Sequence, residues 1–147
     1  MRFAFCIFKY FPYGGIQRDM IKITRECLRR GHQVKLFTLR WDAPPLSDAE
    51  LAALEIEVIP LAGLNRHSQY EHFARSVQRA VAEDRFDLVV GFNKMPGLDV
   101  YYGGDSCYIA KALSQRSAWY RLLPRFKSFH KAEAAVFGKH SSTQILM

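Results

Sequence analysis

The stretch from Phe3 to Arg30 constrains the fold more than any other part of this 147-residue chain. Phe3-Ala4-Phe5-Cys6-Ile7-Phe8 is an unbroken apolar run, which reads as a strand covered on both faces. Ile16, Met20, Ile23 and Cys27 then recur with helical spacing and share one face. Arg29 and Arg30 suit the end of that helix, and Gly31 suits its stop. Between strand and helix lies Lys9-Tyr10-Phe11-Pro12-Tyr13-Gly14-Gly15. A strand, a glycine-bearing turn and a helix place backbone N–H groups at a helix N-terminus, where phosphates bind.

The alternation continues. Strands are expected over 2–8, 33–39, 55–60, 87–91 and 98–102, with another starting at Thr143. Pro44-Pro45 marks a loop, and Ser47-Asp48-Ala49-Glu50 has the capping-box pattern of a short helix. Ser68-Gln69-Tyr70-Glu71 is a second such box, opening a helix with Tyr70, Phe73, Val77 and Val81 on one side. Helical segments follow from Ile109 to Gly138, broken near Pro124. This order predicts an α/β fold, a Rossmann-like parallel sheet with helices on both faces. Ligands of such sheets bind beyond the carboxyl ends of the strands. The loops 9–15, 92–97 and 103–106 are expected to meet there.

Hydrophobic content of 49% fits one folded domain. No apolar run reaches the ~18 residues that span a bilayer, and the N-terminal run reads as a first strand rather than a signal peptide. Cys6, Cys27 and Cys107 have neither paired nor metal-type spacing, which suits a reducing compartment. The formal charge of +7 is concentrated in the last third, where residues 106–147 hold seven basic side chains against Glu133 alone. Aromatics are interleaved with them. Lys111, Arg116, Trp119, Tyr120, Arg121, Arg125 and Lys127 are the candidate surface for anionic lipid. The same ingredients suit single-stranded nucleic acid, so a non-enzymatic basic module for a membrane surface or nucleic acid is the alternative to an enzyme.

Gly14-Gly15 is neither the G-x-G-x-x-G fingerprint nor a P-loop, which counts against NAD and FAD. The pair serves either a turn needing positive φ or close backbone approach to a diphosphate or sugar. Asp19 is expected in the first turn of its helix, as a base or a hydroxyl acceptor. Phe92-Asn93-Lys94-Met95-Pro96-Gly97 follows a buried strand directly and suits a binding loop, with Lys94 reaching a phosphate. Asp105, in Gly103-Gly104-Asp105, either turns the chain or faces the same crevice.

Two long stretches, residues 5–19 and 90–101, carry a resemblance that extends through Asp105, Cys107-Tyr108 and Tyr120-Arg121. They resemble the retaining GT-B glycosyltransferases, in particular the lipopolysaccharide core glucosyltransferase I family. The resemblance implies that 1–147 is the N-terminal acceptor-binding half of a GT-B fold, with the donor-binding domain outside this chain. It implies transfer of glucose from UDP-glucose to an inner-core heptose of lipopolysaccharide, with no metal or other cofactor. Gly14, Gly15 and Asp105 would then contact the donor, and Asp19 would lie at the reaction centre. Lys9, Arg18, Asn93 and Lys94 would meet the acceptor. The expected setting is cytoplasmic, peripheral on the inner face of the membrane, with anionic lipid and no nucleic acid as partner. The chain alone is expected to be inactive, for want of the second domain's cations.

Overall fold

Side-chain alternation along the first strand sets the layers. In the computed structural model, which describes residues 1–42, 46–104 and 106–146, β1 (Arg2–Ile7) turns Phe3, Phe5 and Ile7 to one face and Ala4 and Cys6 to the other. The first face is covered by α1 (Gly15–Arg29), through Met20 and Ile21. The second is covered by α3 (Arg66–Glu83) with Phe73, Ala74 and Val77, and by α5 (Pro124–Phe137) with Val136. Two apolar layers therefore sandwich the sheet, and burying them is the main favourable term in folding.

The sheet adds β2 (Gln33–Thr38), β3 (Leu54–Val58), β4 (Leu88–Gly91), β5 (Val100–Tyr102) and β6 (Gln144–Leu146). All neighbours are parallel, in the order β3-β2-β1-β4-β5-β6. The chain runs outward from β1 to β3, then returns to the opposite side of β1 as β4. The carboxyl ends of β1 and β4 are thus the point where strand order reverses, and a crevice opens there in such sheets. The expected Rossmann-like fold is the one observed. The short helix α2 (Asp48–Ala53) is capped by Ser47 and Glu50 as anticipated, with none of its own side chains buried.

Local differences have local causes. The helix expected to open at Ser68 begins at Arg66, because Asn65 is its cap. Asn65 Oδ1 accepts the Ser68 N–H at 3.1 Å, and Ser68 Oγ accepts the Asn65 N–H at 3.3 Å. Ser68 is the far end of a capping box rather than its start. The fifth strand is shorter than expected because Gly97, at φ 85°, turns the chain and the Asp99 carboxylate takes the Val89 N–H at 2.7 Å. Leu98 is buried against Gly91, where a Cβ would collide with it. Pro124, read as a break, is the first residue of α5, a position where its missing N–H costs nothing. Pro44-Pro45 lies outside the described residues.

Candidate functional site

The first helix meets the crevice uncapped. Gly14 is its N-cap in extended conformation (φ −80°, ψ 144°) and supplies no side-chain acceptor. The first intrahelical bond runs from the Arg18 N–H to the Gly14 carbonyl at 3.1 Å. The amides of Gly15, Ile16 and Gln17 therefore have no acceptor within the helix. No acid stands in the first turn, so the positive end of the helix dipole is uncompensated.

The glycine pair is not explained by backbone freedom. Among the described residues, positive φ occurs only at Gly31, Gly63 and Gly97. Gly14 is small for want of room, since a Cβ there would run into the Gln17 side chain. Gln17 is buried and donates from Nε2 to the Lys9 carbonyl at 3.1 Å, which pins the loop to the helix. A Cβ on Gly15 would meet nothing within 4 Å. Neither backbone conformation nor packing within the chain therefore calls for glycine at position 15.

Asp19 is in the second turn of α1, not the first, because the helix starts at Gly15. Its carboxylate is 43% exposed, lies 3.9 Å from Lys22 Nζ, and accepts a hydrogen bond from the Tyr102 hydroxyl at 3.3 Å. Burial and the facing Asp19 charge raise the Tyr102 pKa, so the phenol stays a donor. Sequence reasoning missed Tyr102, although its place at the carboxyl end of β5 was the available signal. Arg18 is exposed beside this group and Lys9 is half-buried. Asp105 lies outside the described residues.

The three expected loops do converge. The Phe8 N–H donates to Asn93 Oδ1 at 2.8 Å, tying the loop after β1 to the loop after β4. Gly104, after β5, lies near Ile16 of α1, with a Cβ placed there 3.3 Å from Cδ1. Lys94 Nζ donates to the Ser106 carbonyl at 2.8 Å and to Glu133 Oε1 at 2.7 Å.

Lys94, expected from sequence to reach a phosphate, is thus ion-paired within the chain. Its side chain and that of Glu133 are 9% and 7% exposed, and the ammonium spends its charge on α5. The Glu133 carboxylate also accepts the N–H groups of Tyr108 and Ile109 at 2.7 and 3.0 Å, and the Cys107 thiol at 3.2 Å. It thereby caps the N-terminus of α4 (Tyr108–Gln115) from a neighbouring helix. Burial alone would raise the Glu133 pKa, but Lys94 and these donors outweigh it and hold the carboxyl below its ordinary value. Nothing local in the sequence marks Glu133, since its partners are 24 to 39 residues away.

The basic segment lies on α4, the 3₁₀ turn over 118–122 and α5. Trp119 is 79% exposed, and Leu122 and Leu123 are exposed beside it. Lys111, Arg116, Arg121, Arg125 and Lys127 are exposed as well. Arg116 and Arg125 lie over the rings of Tyr120 and Phe129, at 5.5 and 5.8 Å. Tyr120 is half-buried, with its hydroxyl 2.5 Å from that of Tyr108.

The Lys94–Glu133 pair yields a stability prediction. Lys94→Met leaves a buried carboxylate without its counter-ion and should cost about 3–5 kcal/mol in denaturant unfolding at neutral pH. The Glu133 pKa is depressed on folding, so the pair's contribution is complete above the ordinary value of 4.5 and fades as pH falls through the lower, folded value. The gap between wild type and Glu133→Gln should therefore narrow on acidification below pH 4.5. A gap that widens there contradicts the assigned protonation.

Known proteins resemble this chain in sequence and in fold. The chain is 38% identical over 146 residues to the lipopolysaccharide glucosyltransferase WaaG of Escherichia coli (strain K12), covering 98% of this chain and 37% of that protein. It superposes with a TM-score of 0.90 on the crystal structure of WaaG, a glycosyltransferase involved in lipopolysaccharide biosynthesis. That match has 37% identity and covers 99% of this chain and 38% of the other. The chain therefore spans less than two-fifths of the length of either relative. A family model, Glycosyltransferase Family 4, matches residues 13–104, which hold the uncapped helix, Asp19, Asn93, Lys94 and Tyr102. The chain belongs to glycosyltransferase family 4.

Proposed function

We propose that this chain is the acceptor-binding half of a retaining glucosyltransferase that moves glucose from UDP-glucose to an inner-core heptose of lipopolysaccharide. The observation that carries the reading is the uncapped, glycine-lined N-terminus of α1 at the strand-order reversal. Free N–H groups and a positive dipole suit a diphosphate, and the open side of Gly15 admits one closely. The relatives' names supply the sugar and the pathway.

In this reading Gly14 and Gly15 approach the donor diphosphate, and Asp105 contacts the donor sugar. Asp19, oriented by the Tyr102 hydroxyl, receives or positions a hydroxyl proton at the reaction centre. Lys9 and Arg18 meet the acceptor from the α1 side. Asn93 shapes the crevice by holding the loop after β1 in place. The cations for the leaving diphosphate come from a second domain, so the 147-residue chain alone is inactive. Transfer is metal-independent. The exposed Trp119, Leu122 and Leu123 amid Lys111, Arg116, Arg121, Arg125 and Lys127 support peripheral docking on the anionic cytoplasmic face of the membrane. That apolar crown among cations favours lipid over nucleic acid.

The test is turnover of UDP-glucose with a core-glycolipid acceptor by the full-length gene product. Asp19→Ala should lower kcat by about 10²–10⁴-fold, the usual contribution of general acid–base groups, and chelators should leave the rate unchanged. A wild-type rate in that variant removes Asp19 from the reaction. Separately, the protein should bind anionic vesicles in a salt-sensitive manner. Reversing Arg121, Arg125 and Lys127 to Glu should weaken that binding, since each basic residue near such a surface contributes about 1 kcal/mol. Equal binding to neutral vesicles would contradict the electrostatic part.

A further inference from the structure

The carboxyl edge of the sheet has a second side, away from α1. Two hollows there share Phe8, Tyr70, Lys94, Phe129 and Ala132, and so form one groove between α3, α5 and the loop after β4. The larger hollow measures about 370 Å³, within the ~300–1,000 Å³ of small-molecule sites. Aromatic rings form much of its wall. Tyr70 stacks on Phe8 at 3.9 Å, and Phe129 packs near Tyr108 and Tyr70 at 4.5 and 6.3 Å. The neutralised Lys94–Glu133 pair lies within it.

The unspent charge lies around these rings. Arg75 from α3, Lys111 from α4 and Lys131 from α5 all line the groove and are exposed. None of the three has an ion-pair or side-chain hydrogen-bond partner among the described residues. Glu71 is the acid facing them, besides the satisfied Glu133. Three helices thus bring unpaired cations to one aromatic-walled groove, Arg75 and Lys131 at its smaller hollow and Lys111 at its larger one, which suits a ring-bearing dianion better than a neutral sugar.

We propose that this groove binds a phosphorylated sugar unit, with the C–H face of the ring against Tyr108 and Phe129 in the larger hollow beside Lys111, and the phosphate held by Arg75 and Lys131 in the adjoining one. The inference deepens the acceptor half of the proposed function and rests on it. It moves anion recognition from Lys94, which is neutralised, to two cations that are not.

Amide and side-chain chemical shifts of the full-length protein, titrated with glucose 6-phosphate, test it. Saturable shifts are expected at Tyr108, Lys111, Phe129 and Lys131, with weaker binding of glucose and of inorganic phosphate. Lys111→Gln and Lys131→Gln should each weaken the complex about tenfold, or ~1.4 kcal/mol, whereas Lys139→Gln should not. These exposed positions leave the core intact. Glucuronate binding as tightly as glucose 6-phosphate overturns the phosphate assignment. Inorganic phosphate binding as tightly as the sugar phosphate overturns the saccharide. No saturable binding, in a preparation that still turns over UDP-glucose, overturns this site and leaves the transferase reading standing.

Discussion

The ion pair between Lys94 and Glu133 is the interaction on which the functional edge depends. Lys94 sits on the loop after β4 and Glu133 on the last long helix, and both are nearly removed from water. Charges so placed are stable only with complete partnership. Glu133 has it: an ammonium, two backbone N–H groups and a thiol. One carboxylate therefore fixes the loop after β4, the start of α4 and the face of α5 against each other. Asn93, the next residue back, fixes the loop after β1 through the Phe8 amide. The loop after β1 is also held by backbone bonds, from the Tyr10 N–H to the Arg40 carbonyl and from the Asp42 N–H to the Tyr10 carbonyl.

Two working sides result. On one stand the bare N-terminus of α1, with open space beside Gly15, and the hydrogen-bonded Asp19 and Tyr102. On the other, aromatic rings and unpaired cations line a groove between α3 and α5. The basic, apolar-tipped segment from α4 to α5 grows out of the second side. Through Glu133 it is fastened to the same loops that shape the first. In the proposed function, a surface that docks on lipid would be held in fixed relation to the reacting groups.

The sheet was legible because its information is local. The apolar run at β1, the helical spacing of Ile16 to Cys27 and the stop at Gly31 each specify one element, and the elements alternate in one way only. The convergence of three loops followed from that order. Tertiary partners were not legible. The role of Lys94 depends on Glu133, 39 residues on, and no short motif connects them. Ser68 read as the start of a helix because the box pattern fits it, yet Asn65 is the better-placed cap. The glycine pair read as either a φ requirement or a close backbone approach, and the crowding of Gly14 by the buried Gln17 side chain was not legible.

Native-state amide hydrogen exchange measures the central fastening directly. The amides of Tyr108 and Ile109 end on the Glu133 carboxylate. In the wild type they should exchange only with the opening that releases the sheet core, and in Lys94→Met both should fall together to local-opening rates while β1 and β4 stay protected. Exchange of these two amides at the rate of exposed loops in the wild type would contradict the role given to the Lys94–Glu133 pair.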